Sequence, residues 1–177
     1  MSRILRIGLR IGVLLVGNVQ LLDLAAVDLL YMATPEYLNS SSLTQTLIDM
    51  GRPCQIHYIG QEGAGGISTA TAQMPIQLTD KPTDETVSPG KLDVVIVPGP
   101  SLKAMPPAEE HLDFLRGHYA SGTSILGICG VTNGYDLVIK YLRENYPELL
   151  VNTIIDQADI TPRPLHYSSP ATVNAAK

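Results

Sequence analysis

The chain has 177 residues, enough for one domain with a sizeable core. Hydrophobic residues make up 45% and charged residues 16%, which excludes a disordered chain. A net charge of −5, with no cluster of Lys or Arg, argues against a nucleic-acid partner. Cys54 and Cys129 are too few for a disulfide framework and suit a reducing compartment, the cytoplasm.

The opening "MSRILRIGLRIGVLLVG" places basic residues before an apolar run, as a signal peptide would. Arg10 interrupts that run, no small-residue cleavage site follows, and residues 11–16 are β-rich, so the segment reads as the first core strand. No apolar run reaches the length of a membrane span. The stretch "VQLLDLAAVDLLYMA", residues 19–33, predicts a helix that is apolar nearly all round, with Pro35 just past its end. A polar loop follows, then a helix from Leu43 stopped by Gly51. "CQIHYIG" alternates and predicts a strand, with Cys54 as a core residue of it. Residues 60–91 are rich in Gly, Thr, Pro and Asp and predict at most short strands near 73–78.

"LDVVIVPGP" predicts a strand buried on both faces and ending in a Pro-Gly turn. "PPAEEHLDFLRGHYASG" predicts an amphipathic helix with Pro107 in its first turn. Ala108, Leu112, Leu115 and Tyr119 form its apolar stripe, and His111 and His118 fall on the solvated side. "TSILGIC" is the next strand. "GYDLVIKYLRENYP" is a second amphipathic helix, with Leu137, Val138, Tyr141 and Leu142 facing inward. Residues 1–160 form one unit, and residues 161–177 form a Pro/Ser/Ala-rich tail expected to fray. Strands alternating with helices imply an α/β fold, a mainly parallel sheet between helices. In such sheets sites lie beyond the carboxyl ends of the strands, where the loop after Val16, Pro98-Gly99-Pro100 and Cys129 arrive.

A cysteine between a strand and a helix start exposes its sulfur, and the helix dipole favours thiolate. Gly127 and Gly130 flank Cys129, giving a cysteine version of a nucleophile elbow in which small neighbours permit a tight turn. The alternative is a buried structural cysteine, since free Cys packs as a small hydrophobe. Asp23 interrupts an apolar helix near the same sheet edge. It is either an acid/base group beside the cysteine or a carboxylate that favours the helix dipole. His57 lies within a strand and His166 in the tail, so no histidine is placed as a base for Cys129. "GAGG" at 63–66 lacks the context of a phosphate loop, no Cys/His spacing suggests zinc, and no cofactor is indicated.

"IGVLLVGNVQLLDLAAVDLLYM", "LDVVIVPGP", "SILGICG" and "GVTNGYDLVIKYLRENYP" together resemble the ThiJ/PfpI superfamily, from about Arg6 to Tyr167. The "LLDLAAVDLL" pattern looks most like the isonitrile hydratase-like branch. The resemblance implies a flavodoxin-like sandwich of the kind shared with class I glutamine amidotransferases. It also implies a homodimer and a small-molecule substrate, an isonitrile or a small amide or reactive carbonyl. Carried over, Cys129 matches the elbow nucleophile and Asp23 the acidic residue that approaches its sulfur. Gly99 matches the glycine lining the oxyanion region, with Gly130 beside the nucleophile. Pro100 replaces a glycine of many relatives and removes an N–H donor, which Ser101 is expected to supply instead. In relatives a helix and a strand separate the elbow from the "GVTxGxDL" motif. Here Cys129-Gly130 joins Val131 directly, with Thr132 or Asn133 as the expected helix cap. That join implies an internal deletion, a splice form or a gene-model error, and hence a shortened sandwich. The alternatives to an enzyme are a redox-responsive protein or an inactive shortened form.

Overall fold

A computed structural model of the chain describes residues 8–128 and 131–161. In chain order the elements are β1 (Leu9–Leu14), α1 (Leu21–Tyr31), α2 (Pro35–Ser40), α3 (Gln45–Met50), β2 (Cys54–Ile59), β3 (Ile67–Thr69), β4 (Pro75–Gln77), β5 (Val94–Pro98), α4 (Glu109–Ala120), β6 (Ser124–Ile128), α5 (Val131–Asn145) and α6 (Glu148–Gln157). Four strands form one parallel sheet in the order β2-β1-β5-β6, while β3 and β4 make a small antiparallel pair. This is the α/β sandwich expected from the alternation of apolar runs.

The central strands are apolar throughout because both faces of the sheet are covered. Ile11 and Val13 of β1, with Val94 and Ile96 of β5, pack into the core under α1, α5 and α6. Leu14 and Val95 turn the other way, into a smaller core closed by Phe114 of α4. On the first face glycine lets α5 lie close against β6: a Cβ on Gly134 would stand 2.6 Å from Ile128 Cγ2, whereas Ala26 Cβ of α1, at 3.5 Å, would be in ordinary contact. Val138, Tyr141 and Leu142 of α5 point into that core, as their spacing predicts.

Several local expectations are corrected. Pro35 does stop α1, but it also opens α2, whose N-cap Thr34 accepts a hydrogen bond from the Tyr37 N–H at 3.3 Å. The stretch read as a polar loop is therefore a helix. Helix α4 starts at Glu109, so Pro107 precedes it, and its buried residues are His111, Phe114 and His118, while Tyr119 is 78% exposed. The two histidines read as solvated are thus inside. Helix α5 starts at Val131, which puts Thr132 and Asn133 within its first turn and not at the cap. Helix α6 was not expected at all, and it buries Leu150, Val151, Ile154 and Ile155. Cys54 sits half-buried at the start of an edge strand, outside the core proper. The tail from residue 162 onward, including His166, lies outside the described residues.

Candidate active site

The site is assembled where the carboxyl ends of β1, β5 and β6 meet. After β1 the chain turns at Gly17, whose φ of +62° suits glycine, and whose missing Cβ would stand 2.7 Å from Ala104 Cβ. The following loop is pinned on two sides. The Val19 N–H is donated to the Thr69 carbonyl at 3.3 Å, and the Gln20 N–H to the Gly99 carbonyl at 3.4 Å. Helix α1 then begins without a side-chain cap from Gln20. Instead the Leu21 N–H is donated to Thr71 Oγ1 at 2.9 Å, a cap delivered from 50 residues away.

This entry sets Asp23 in the first turn of α1 with its side chain buried, at 1% exposure. Asp23 Oδ2 accepts a hydrogen bond from the Gly99 N–H at 3.0 Å. Asp23 Oδ1 is sealed from solvent and has no hydrogen-bond partner among the described residues. A buried carboxylate oxygen left bare is costly, and such an atom marks a place where chemistry or a ligand is expected. The structure therefore brings together two residues singled out in the sequence, Asp23 and Gly99.

The other backbone donor is committed elsewhere. The Ser101 N–H is donated to the Asn18 carbonyl at 2.8 Å, and the Gly99 N–H already serves Asp23. Both amides hold the loops in register in this state. Strand β6 ends at Ile128, which pairs with Pro98 in the register of the sheet, and α5 resumes at Val131. Only two residues, Cys129 and Gly130, join them, and both lie outside the described residues. Gly127 belongs to the strand, is exposed, and a Cβ there would meet nothing within 4 Å.

The histidines have other duties. His57 Nδ1 lies 2.7 Å from Asp80 Oδ2. His118 lies 3.1 Å from Thr123 Oγ1 and 2.9 Å from the Val87 carbonyl. Burial lowers the pKa of His118, partly countered by its bond to the Val87 carbonyl. His111 is buried at 3% exposure, and neither ring nitrogen has a partner among the described residues. Burial lowers its pKa, against the raising influence of Glu110. Sequence reading missed His111, although His111, Phe114 and His118 share a helical face as well as the stripe chosen. Burial, and then the charge of Glu36, raise the pKa of the Cys54 thiol, which makes it a poor nucleophile. Among the described residues no group of three acidic, His or Cys side chains is placed to hold a metal, and no helix is long and apolar enough to cross a membrane.

No family model and no curated protein matches the chain. Solved structures do. A ThiJ/PfpI family protein from Pseudomonas syringae superposes with a TM-score of 0.62 at 14% identity, covering 95% of this chain and 79% of that one. Drosophila melanogaster DJ-1beta gives 0.59 at 14% identity, covering 87% and 99%. An AraC family transcriptional regulator from Pseudomonas putida gives 0.63 at 12%, covering 84% and 98%. At such identities the likeness speaks for architecture alone, and on that ground the chain has the flavodoxin-like sandwich fold of the ThiJ/PfpI and DJ-1 structures.

Proposed function

We propose that the chain is a ThiJ/PfpI-type enzyme of the isonitrile hydratase-like kind, using Cys129 as nucleophile and Asp23 as acid/base. The carrying observation is Asp23: a buried carboxyl, fixed through one oxygen by Gly99 and bare at the other, at the sheet edge where β6 ends one residue before Cys129. In the reading offered, the Cys129 sulfur bonds to the terminal carbon of an isonitrile, and that carbon takes a proton from Asp23. The product is a thioimidate. Water then adds to the same carbon, giving up a proton to the Asp23 carboxylate. Asp23 passes that proton to the nitrogen and takes the remaining hydroxyl proton as the carbon–sulfur bond breaks, so an N-formamide leaves while the thiolate and the protonated Asp23 are restored. The net reaction is hydration, with no oxidant or cofactor. A cytoplasmic homodimer belongs to the same proposal. So does an internal deletion at the Cys129–Val131 join, which the genomic sequence across that join would test.

The deciding experiment measures N-formamide from a simple alkyl isonitrile by mass spectrometry. Wild type should form it, and Cys129→Ala should not. Iodoacetamide labelling near pH 6.5 should modify Cys129 ahead of Cys54, whose thiol is the harder to ionise. Labelling confined to Cys54 would remove the nucleophile from the scheme.

A further inference from the structure

A cleft of about 200 Å³ opens over the carboxyl ends of β1 and β2. Gly17 and Asn18 of the loop after β1 line it, while Asp23 and Gly99 do not. Its walls carry three aliphatic side chains, Leu15, Ile67 and Leu78, and His111 closes one side. Ile67 stands at the cleft 59% exposed, an apolar side chain that no part of the described protein covers. His111 is the opposite case: its imidazole is buried, and both nitrogens lack partners among the described residues. A neutral imidazole carries one donor and one acceptor, so both needs are unmet.

The lining also specifies charge. Among the described residues no Lys or Arg borders the cleft, so an anion finds no counter-charge. The single carboxylate, Glu62, is exposed and screened by solvent. The remaining polar side chains besides His111 are neutral: the Asn18 and Gln61 amides, the Thr69 hydroxyl, and the Ser68 hydroxyl, which donates to the Gly17 carbonyl at 3.1 Å and so keeps its lone pairs to accept with.

We propose that this cleft binds a small neutral carboxamide with a short branched aliphatic tail, its head hydrogen-bonded to His111 and its tail against Leu15, Ile67 and Leu78. The imidazole reaches the head by turning about its Cβ–Cγ bond, a torsion with broad preferences. An amide fits because it both donates and accepts, as the neutral ring does. The binding uses no group of the Asp23–Cys129 pair and stands apart from the hydratase reading.

The test is an imidazole-detected ¹H–¹⁵N NMR titration of the full chain with isobutyramide, run beside its charged isosteres isobutyrate and isobutylammonium. The ring signals of His111, assigned with His111→Gln, should shift saturably with the amide and respond about tenfold more weakly to either ion. Ile67→Ser, an exposed change that leaves the core alone, should weaken the amide response about tenfold, and Cys129→Ala should leave it intact. Absence of a saturable shift, equal response to the ions, or loss of binding in Cys129→Ala each overturns the proposal. If His111→Gln fails to fold, the Ile67→Ser comparison still decides it, because an unchanged affinity would empty the cleft of its aliphatic role.

Discussion

In the proposed scheme Asp23 has two roles, a structural bond to Gly99 and acid/base chemistry, and substitution can separate them. Asp23→Asn keeps the shape and an oxygen for the Gly99 N–H but loses the acid/base function. It should leave the urea midpoint nearly unchanged while formamide production falls about a hundred- to ten-thousand-fold. Asp23→Ala should also destabilise, by about 1–3 kcal/mol, because the Gly99 N–H loses its partner. The buried histidines predict a pH dependence. His111 and His118 are both harder to protonate folded than unfolded. Below about pH 6.5 the unfolded chain therefore binds more protons, and stability falls as pH is lowered, by at most about 1.4 kcal/mol per pH unit for each. Asp80 acts in a lower window. Burial raises its pKa, but hydrogen bonds from Thr79, Thr86 and His57 outweigh that and hold it below the ordinary value. Its contribution is present above about pH 3.8 and is lost as pH falls further. Urea midpoints that stay level between about pH 7.5 and 5.5 would refute the histidine part.

At the scale of elements, the packing of α5 against β6 rests on Gly134. Gly134→Val drives a side chain into Ile128 and should cost about 1–3 kcal/mol by urea denaturation. Combined with Ile128→Ala, the double variant should lose less than the sum of the two single losses. Strand β6 is a sheet edge, and its Ser124–Ile128 segment carries no charge. Gly127→Lys enters open space there, so it should change stability by under about 0.5 kcal/mol and reduce aggregation on heating, read by light scattering. The strands were legible because a doubly covered strand must be apolar throughout, and "GVLLV" and "DVVIV" are. Helix α2 was not, because Pro35 serves as stop and start at once and its polar side chains face solvent. The stripe on α4 was misassigned because His111 and His118 count as polar by type, whereas His118 is made buriable by Thr123 and a carbonyl far along the chain.

For the molecule as a whole, one sheet divides two cores of unequal size, and α6 seals the larger. Ile154→Ala should therefore cost about 2–5 kcal/mol in a cooperative unfolding transition. The carboxyl edge shared by β1, β5 and β6 was readable, since strands alternating with helices imply a parallel sheet. The contacts made there were not, because they join residues distant in sequence: Leu21 to Thr71, Val19 to Thr69, Asn18 to Ser101. The His111 cleft was hidden for the same reason. Part of its wall is β3 together with Leu78 just past β4, and nothing in the local pattern of residues 60–91 announces where they will lie.

The bond from the Gly99 amide to Asp23 crosses 76 residues of chain. One proton therefore reports on the union of α1 with β5. Its exchange with deuterium would time how often the two elements part, separately from global unfolding. On the proposed reaction scheme, a substrate bound beside Asp23 should slow that exchange, giving a binding signal that needs no turnover.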